Sequence, residues 1–190
     1  MAMFFLVLWL AAVPAAGQDA GVEVGSEVPD FTLVDQDSRS VSLKAFRGKV
    51  VLVTFLYTKC PFPDKCPMIA QKLGQTRELI DSLKDGRKEF QVISITLDPE
   101  RDTPEALKAY ARGNDKAFPN WTFLTGKPEQ IARVTALFGV VYWKEKGIIE
   151  HNLRTAIIDR KGRLHTLLRG SDWKAGEIAA RIKAVLEQKS

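Results

Sequence analysis

Cysteine and histidine are both scarce in this chain, with two of each in 190 residues. That excludes a framework of several disulfides and a closed four-cysteine zinc site. Charge is missing from the first seventeen residues, and the apolar run there is shorter than the ~20 residues a membrane-spanning helix needs. No run of Lys and Arg is interleaved with aromatics, which speaks against nucleic-acid binding despite a net charge of +5 and a pI near 9.2. The mild basicity suits acidic partners or anionic lipid head groups. Internal repeats, interdomain linkers and low-complexity tracts are also lacking. With 45% apolar and 27% charged residues, the chain has the make-up of one globular domain able to bury a core.

The N-terminus reads as a targeting segment. Met3 to Val13 is apolar, and Pro14-Ala15-Ala16-Gly17 supplies small residues suited to cleavage. The expected organisation is an export signal over 1–17, a flexible lead-in over 18–28, and one domain over 29–190. The stretch before the apolar core lacks the usual Lys or Arg, so an uncleaved anchor holding the protein at the membrane is the alternative. Export places the chain in the periplasm or at the outer face of the cytoplasmic membrane, where thiols meet an oxidising environment.

Hydrophobic patterning outlines an α/β chain. Residues 29–34 alternate as an edge strand, turn through Asp35-Gln36-Asp37-Ser38, and return antiparallel along 40–43. Residues 50–57 form a nearly continuous β-branched and apolar run, typical of a strand covered on both faces. Pro67 suits the first position of a helix running to about residue 84, with Cys66 as its N-cap. A strand follows at 91–97 and then a loop over 98–102. A helix comes next, capped by Thr103 and opened by Pro104. A short strand at 121–124, a helix at 128–138 and a β-excursion around Lys146-Gly147 come next. A hairpin over 155–168 and a helix over 173–188 close the chain. This order predicts a mixed sheet flanked by helices, with functional groups at strand C-terminal ends.

Both cysteines fall in Thr58-Lys59-Cys60-Pro61-Phe62-Pro63-Asp64-Lys65-Cys66-Pro67, between a buried strand and a helix start. A structural disulfide there would close a tiny loop, gaining only about 2 kcal/mol that a domain of this size does not need. A thiol at a helix N-cap meets unpaired N–H groups and the positive dipole end, so Cys66 is expected to ionise readily. Lys59 and Lys65 add positive charge nearby. Two such thiolates can close reversibly to a disulfide or hold a soft metal ion. A third metal donor would come from His151, ahead of the strand at 155, or from His165 inside the last hairpin strand. The ordinary reading of His165 is a surface strand histidine. Two sulfurs and one imidazole suit three-coordinate Cu(I), while Asp98 or Asp64 could complete a zinc sphere.

Four further segments sharpen this. Tyr57-Thr58-Lys59-Cys60-Pro61 with Cys66-Pro67, then Asp98-Pro99-Glu100-Arg101-Asp102-Thr103-Pro104-Glu105, Trp121-Thr122-Phe123-Leu124-Thr125-Gly126, and His151 before a strand ending in Asp159 together resemble the Sco/SenC family. The resemblance runs from about Gly25 to Val185. It implies a thioredoxin-like fold with an N-terminal β-hairpin, and a copper ion held by Cys60, Cys66 and His151. It also implies delivery to the copper-site subunit of cytochrome c oxidase or to another copper-receiving protein. Two departures stand out: the family's usual Cys-x3-Cys is here Cys-x5-Cys, and Glu150 precedes the histidine where Asp is common.

The rival reading is a thiol–disulfide oxidoreductase that reduces partner cysteines for copper loading, with Cys60 and Cys66 as its redox pair. Asn152-Leu153-Arg154-Thr155 offers none of the facing proline of a thioredoxin-type enzyme. Val53 and Tyr57 stand where a thiol peroxidase would have Pro and Thr. Glu100, Arg101 and Asp102 are expected to cap the next helix and pair locally, with Asp98 as a hydrogen-bonding support of the site. One of Tyr142 and Trp143 is expected to pack in the core.

Overall fold

The computed structural model describes residues 21–83, 85–113 and 120–188. The export signal over 1–17, residues 18–20 of the lead-in and Lys84 lie outside them. The strands are β1 (Thr32–Asp35), β2 (Ser40–Ser42), β3 (Val50–Leu56), β4 (Phe90–Thr96), β5 (Trp121–Thr125), β6 (Tyr142–Glu145), β7 (Ile148–His151), β8 (Arg154–Ile158) and β9 (Leu164–Arg169). The helices are α1 (Cys66–Asp81), α2 (Gly86–Glu89), α3 (Pro104–Gly113), α4 (Pro128–Leu137) and α5 (Ala175–Glu187).

Seven strands form one mixed sheet in the order β2-β1-β5-β4-β3-β8-β9, and β6 and β7 form a separate hairpin. The uninterrupted apolar runs take the centre. Every residue of β3 and β4 is buried, and the two pair in parallel from Val50 opposite Phe90 to Leu56 opposite Thr96. Polar residues enter towards the edges. Thr32 and Ser40 are exposed on the N-terminal hairpin, and β9 is only half-buried beyond Leu164. Asp35 fixes the turn of that hairpin by accepting the N–H groups of Asp37 and Arg39 on one carboxylate oxygen, both at 2.8 Å. α1 packs against α5, and α3 lies on β5.

Helix starts follow local chemistry. Thr103 Oγ1 accepts the Ala106 N–H at 3.3 Å, so Pro104 opens α3 as its sequence predicts. α1 differs from expectation. It begins at Cys66 itself, with Lys65 as N-cap and no side-chain capping bond, which moves the thiol from the cap into the first turn. The lead-in differs as well. Val22 N–H bonds to Leu137 O and Gly25 N–H to Leu164 O, Glu27 bridges to Arg163, and Val28 is buried. Residues 21–28 are thus held to the domain rather than free.

Because β3 and β4 are parallel neighbours, the loops leaving their C-terminal ends share one rim of the sheet. The first carries Cys60 and the second Asp98 and Asp102. The β6–β7 hairpin brings His151 to the same place. That histidine is the last residue of β7, opposite Tyr142, rather than part of a loop.

Candidate metal centre

The loop from Tyr57 to Lys65 leaves β3 in two short turns, closed by Cys60 N–H to Tyr57 O at 3.3 Å and Lys65 N–H to Phe62 O at 3.2 Å. Both cysteines are reduced; Cys60 is half-buried and Cys66 buried. Across 85 residues of sequence, Cys66 Sγ stands 3.8 Å from His151 Nε2. The His151 Nδ1–H donates to the Asn152 carbonyl at 2.9 Å, which leaves the Nε2 lone pair facing the sulfur. The Tyr57 ring meets the imidazole edge-on, with centroids 6.3 Å apart.

The electrostatics divide the two thiols. A hydrogen bond from the Cys66 thiol brings the Cys60 pKa down to about 6, against burial, with help from the Phe62 and Cys66 backbone and the Tyr57 hydroxyl. Cys66 moves the opposite way, because it keeps the shared proton and because it is buried. This reverses the expectation that Cys66 is the ready thiolate. Cys66 is the first residue of α1 and is buried, so loss of hydration adds to the retained proton in opposing its ionisation. Burial, chiefly, also pushes His151 down and keeps the ring neutral, and Lys65 acts in the same direction.

Three supports surround the pair. Lys65 Nζ lies 2.9 Å from Glu150 Oε2 and 4.1 Å from the centre of the Phe62 ring, so the loop beside Cys66 is clasped to the strand beside His151. Asp102 is buried and accepts from Thr58 N–H at 3.1 Å, Thr58 Oγ1 at 2.5 Å and Thr96 Oγ1 at 2.5 Å. It is Asp102, not Asp98, that ties the second rim loop to the cysteine loop, and it does not cap α3. Asp98 has its own N–H on Thr96 Oγ1 at 2.9 Å, and burial raises its carboxyl pKa. Asp98 lines a cavity with Leu97, Pro99, Tyr142 and Trp143.

The remaining candidates fall apart from this cluster. Asp64 is exposed on the loop. His165 sits on edge strand β9 with Nδ1 2.8 Å from Thr166 Oγ1. Tyr142 packs against the core, whereas Trp143 is 54% exposed. Among the described residues, no three His, Cys, Asp or Glu side chains stand grouped as a closed metal site would have them. What is assembled is the Cys66–His151 pair, with Cys60 on the same loop and its sulfur 3.8 Å from the Phe62 carbonyl oxygen.

The SCO1/SenC family model matches residues 21–187. The chain belongs to that family. An SCO2-like protein of Rickettsia typhi is 32% identical over 161 residues, covering 79% of this chain and 74% of the relative. The structure of Bradyrhizobium japonicum ScoI with copper bound is 30% identical, with a TM-score of 0.71 over 85% of this chain and all of that one. BsSco is described as a member of the Sco family of cytochrome c oxidase assembly proteins with a disulfide switch. It is 28% identical, with a TM-score of 0.71 over 89% of this chain and 99% of its own. A thioredoxin domain from Bacteroides vulgatus shares the fold alone, at 20% identity and a TM-score of 0.63, covering 88% of this chain and all of that one. The fold is therefore thioredoxin-like, and the family is one of copper-binding proteins related to cytochrome c oxidase assembly.

Sequence reasoning missed three members of this family member's site: Asp102 as the tie between rim loops, the Lys65–Glu150 clasp, and Tyr57. A signal existed for the first, since two threonines at strand ends and an aspartate in the next loop form a natural buried network. The clasp joins residues 85 apart and leaves no local pattern.

Proposed function

We propose that this chain carries copper as Cu(I) on Cys60, Cys66 and His151 and hands it to the copper-site subunit of cytochrome c oxidase or another copper-receiving protein. The handover takes place outside the cytoplasm, in the periplasm or at the outer face of its membrane, after export directed by residues 1–17. The observation that carries the reading is the 3.8 Å approach of Cys66 Sγ to His151 Nε2, the unprotonated ring nitrogen. With bonds of about 2.3 Å to sulfur and 2.0–2.1 Å to nitrogen, as zinc makes, two donors of one three-coordinate ion stand about 3.8 Å apart. Thiolate and imidazole donors select a soft monovalent ion over hard ones. Half-exposed Cys60 supplies the second sulfur and the side from which a partner's thiolates can displace the cargo stepwise.

Titration of the reduced protein with Cu(I) against a competing chelator tests this. The expected result is one copper per chain, affinity at least about tenfold weaker in His151→Ala, and no tight binding when both cysteines are Ser. Unchanged affinity in His151→Ala would remove that residue from the site. N-terminal sequencing of protein recovered from the periplasm is expected to begin after Gly17.

One feature favours a second activity on the same sulfurs: of two reduced thiols on one loop, Cys60 is the half-exposed one, and its pKa is drawn down to about 6 by the Cys66 thiol. In thiol exchange, the Cys60 thiolate attacks a partner disulfide and forms a mixed disulfide, releasing the first partner sulfur as a thiolate. Cys66, giving up its proton, then attacks Cys60 Sγ and releases the second. Two electrons pass to the partner, and a Cys60–Cys66 disulfide remains. Rapid reduction of a partner disulfide by metal-free protein, lost in Cys60→Ser, would establish this; no reduction would leave copper carriage alone.

A further inference from the structure

Asp98 takes no part in tying the cysteine loop, yet its carboxyl is buried at the same rim with little to hold it. The side chain is 6% exposed, and its ion contact with Arg101 Nε spans 3.9 Å, beyond hydrogen-bond distance. Among the described residues, no donor reaches the carboxylate oxygens more closely. A buried acceptor without a donor is costly, so one that persists calls for a partner. Burial raises the Asp98 pKa although Lys144 and Arg101 stand near, so those cations do not replace the lost hydration.

Asp98 lines a cavity of about 170 Å³ whose walls include Leu97, Pro99, Tyr142, Trp143 and Ile149. The exposed Glu100–Lys144 pair, 3.3 Å apart, neutralises itself beside it. Sites for cofactors and similar molecules start at about 300 Å³, so this one has room for a single side chain. Trp143 is 54% exposed and Val141, two residues before it, 51% exposed, so uncovered apolar surface adjoins the cavity. Tyr142 pairs with His151 across the β6–β7 hairpin, which puts the cavity next to the proposed copper ligand.

We infer that this cavity is a docking pocket for one arginine side chain of a partner protein, with its guanidinium on the Asp98 carboxylate and its stem along the apolar walls. A carboxylate set among aromatic rings suits a guanidinium, which is planar, weakly hydrated, able to stack and able to bond a carboxylate through two N–H groups. An ammonium, compact and strongly hydrated, gains less there. Exposed Trp143 and Val141 then take the residues flanking the arginine, as a partner's surface offers and a free small cation does not. That the partner is the copper receiver rests on the function proposed above; the guanidinium pocket does not.

The test uses reduced, metal-free protein and the peptide acetyl-Leu-Arg-Leu-amide, followed by amide and indole N–H shifts in NMR. Saturable shifts are expected over 97–101 and 141–149 and at the Trp143 indole. Replacing arginine by citrulline, which keeps the shape and loses the charge, should weaken binding at least about tenfold, as should Asp98→Asn. Trp143→Ala should keep the wild-type melting temperature and weaken binding about threefold. Ethylguanidinium should bind at least about tenfold more weakly than the peptide, since it lacks the flanks that cover Val141 and Trp143. Equal binding of the citrulline peptide, or shifts confined to other surfaces, overturns the pocket. Ethylguanidinium binding as tightly as the peptide refutes a protein partner. A lysine peptide binding as tightly refutes the guanidinium preference. At saturation, the arginine peptide and not the citrulline one should slow Cu(I) transfer to the copper-free copper-site subunit of cytochrome c oxidase by at least about threefold. Unslowed transfer overturns the copper-receiver half alone. A wild type that never passes copper sinks the carrier function and leaves the NMR result to decide the pocket.

Discussion

At Cys60, partial exposure, a donor thiol and backbone N–H groups act together, while at Cys66 burial and a retained proton oppose ionisation. The two sulfurs are therefore unequal before any metal arrives. Lowering the Cys60 pKa to about 6, well below the ordinary thiol range, means that its thiolate is present at neutral pH and disappears as pH falls through about 6. Limited iodoacetamide treatment at neutral pH is expected to label Cys60 before Cys66. The Cys60 rate should climb through about pH 6 and level off by about pH 7. Peptide mapping after graded reaction checks both points; preferential labelling of Cys66 would reverse the assignment. His151, kept neutral by burial, needs no proton removed at that pH to present its lone pair.

Among the elements, the cysteine loop and the β6–β7 hairpin together make the site, and the lengthened Cys-x5-Cys loop is where this chain departs from the usual family spacing. The added length is put to use. Phe62 and Lys65 stack, and Lys65 reaches Glu150, so the loop is fastened to the strand that ends in His151. The pair is about one-third exposed, and an ion pair of that kind contributes at most about 1 kcal/mol to folding. Its effect on the site is larger than its effect on the fold. Lys65→Ala and Glu150→Ala are each expected to lower the melting temperature by only a few degrees, about what such an energy gives. Each should also speed loss of Cu(I) to a chelator, by about the same factor, and the double variant should add little. Independent, additive effects of the two changes in a stopped-flow transfer assay would show that the clasp is not a unit.

For the whole molecule, the sheet's parallel centre decides where function lies. Strands β3 and β4 end side by side, and Asp102 binds their two loops together through Thr58 and Thr96. Removing that carboxylate leaves buried donors unpaired at about 1–3 kcal/mol each. Asp102→Ala is expected to destabilise the domain by about 3 kcal/mol in urea unfolding and to weaken copper binding by loosening the cysteine loop. Loss of stability below about 1 kcal/mol would mean that the network is dispensable. Tertiary context also explains Trp143. Its hairpin lies outside the main sheet, so the side of β6 that carries it has no core to enter, while Tyr142 on the other side does.

Much of this architecture was legible along the chain, because strands covered on both faces must be continuously apolar and helix starts carry Pro and Thr at fixed places. The strands read at 50–57 and 91–97 lie within one residue of β3 and β4, and the helix read as opened by Pro104 begins there, as those rules require. The presence of two soft donors on a loop at a strand's end follows likewise. Local chemistry could not decide which sulfur ionises, since that depends on which thiol keeps the proton and on what buries Cys66. Nor could it find partners 44 or 85 residues away, such as Asp102 for Thr58 and Glu150 for Lys65. Periodicity reports which face of a segment seeks the core. Only packing brings distant donors together, because burial and the hydrogen bonds that offset it are properties of the assembled molecule.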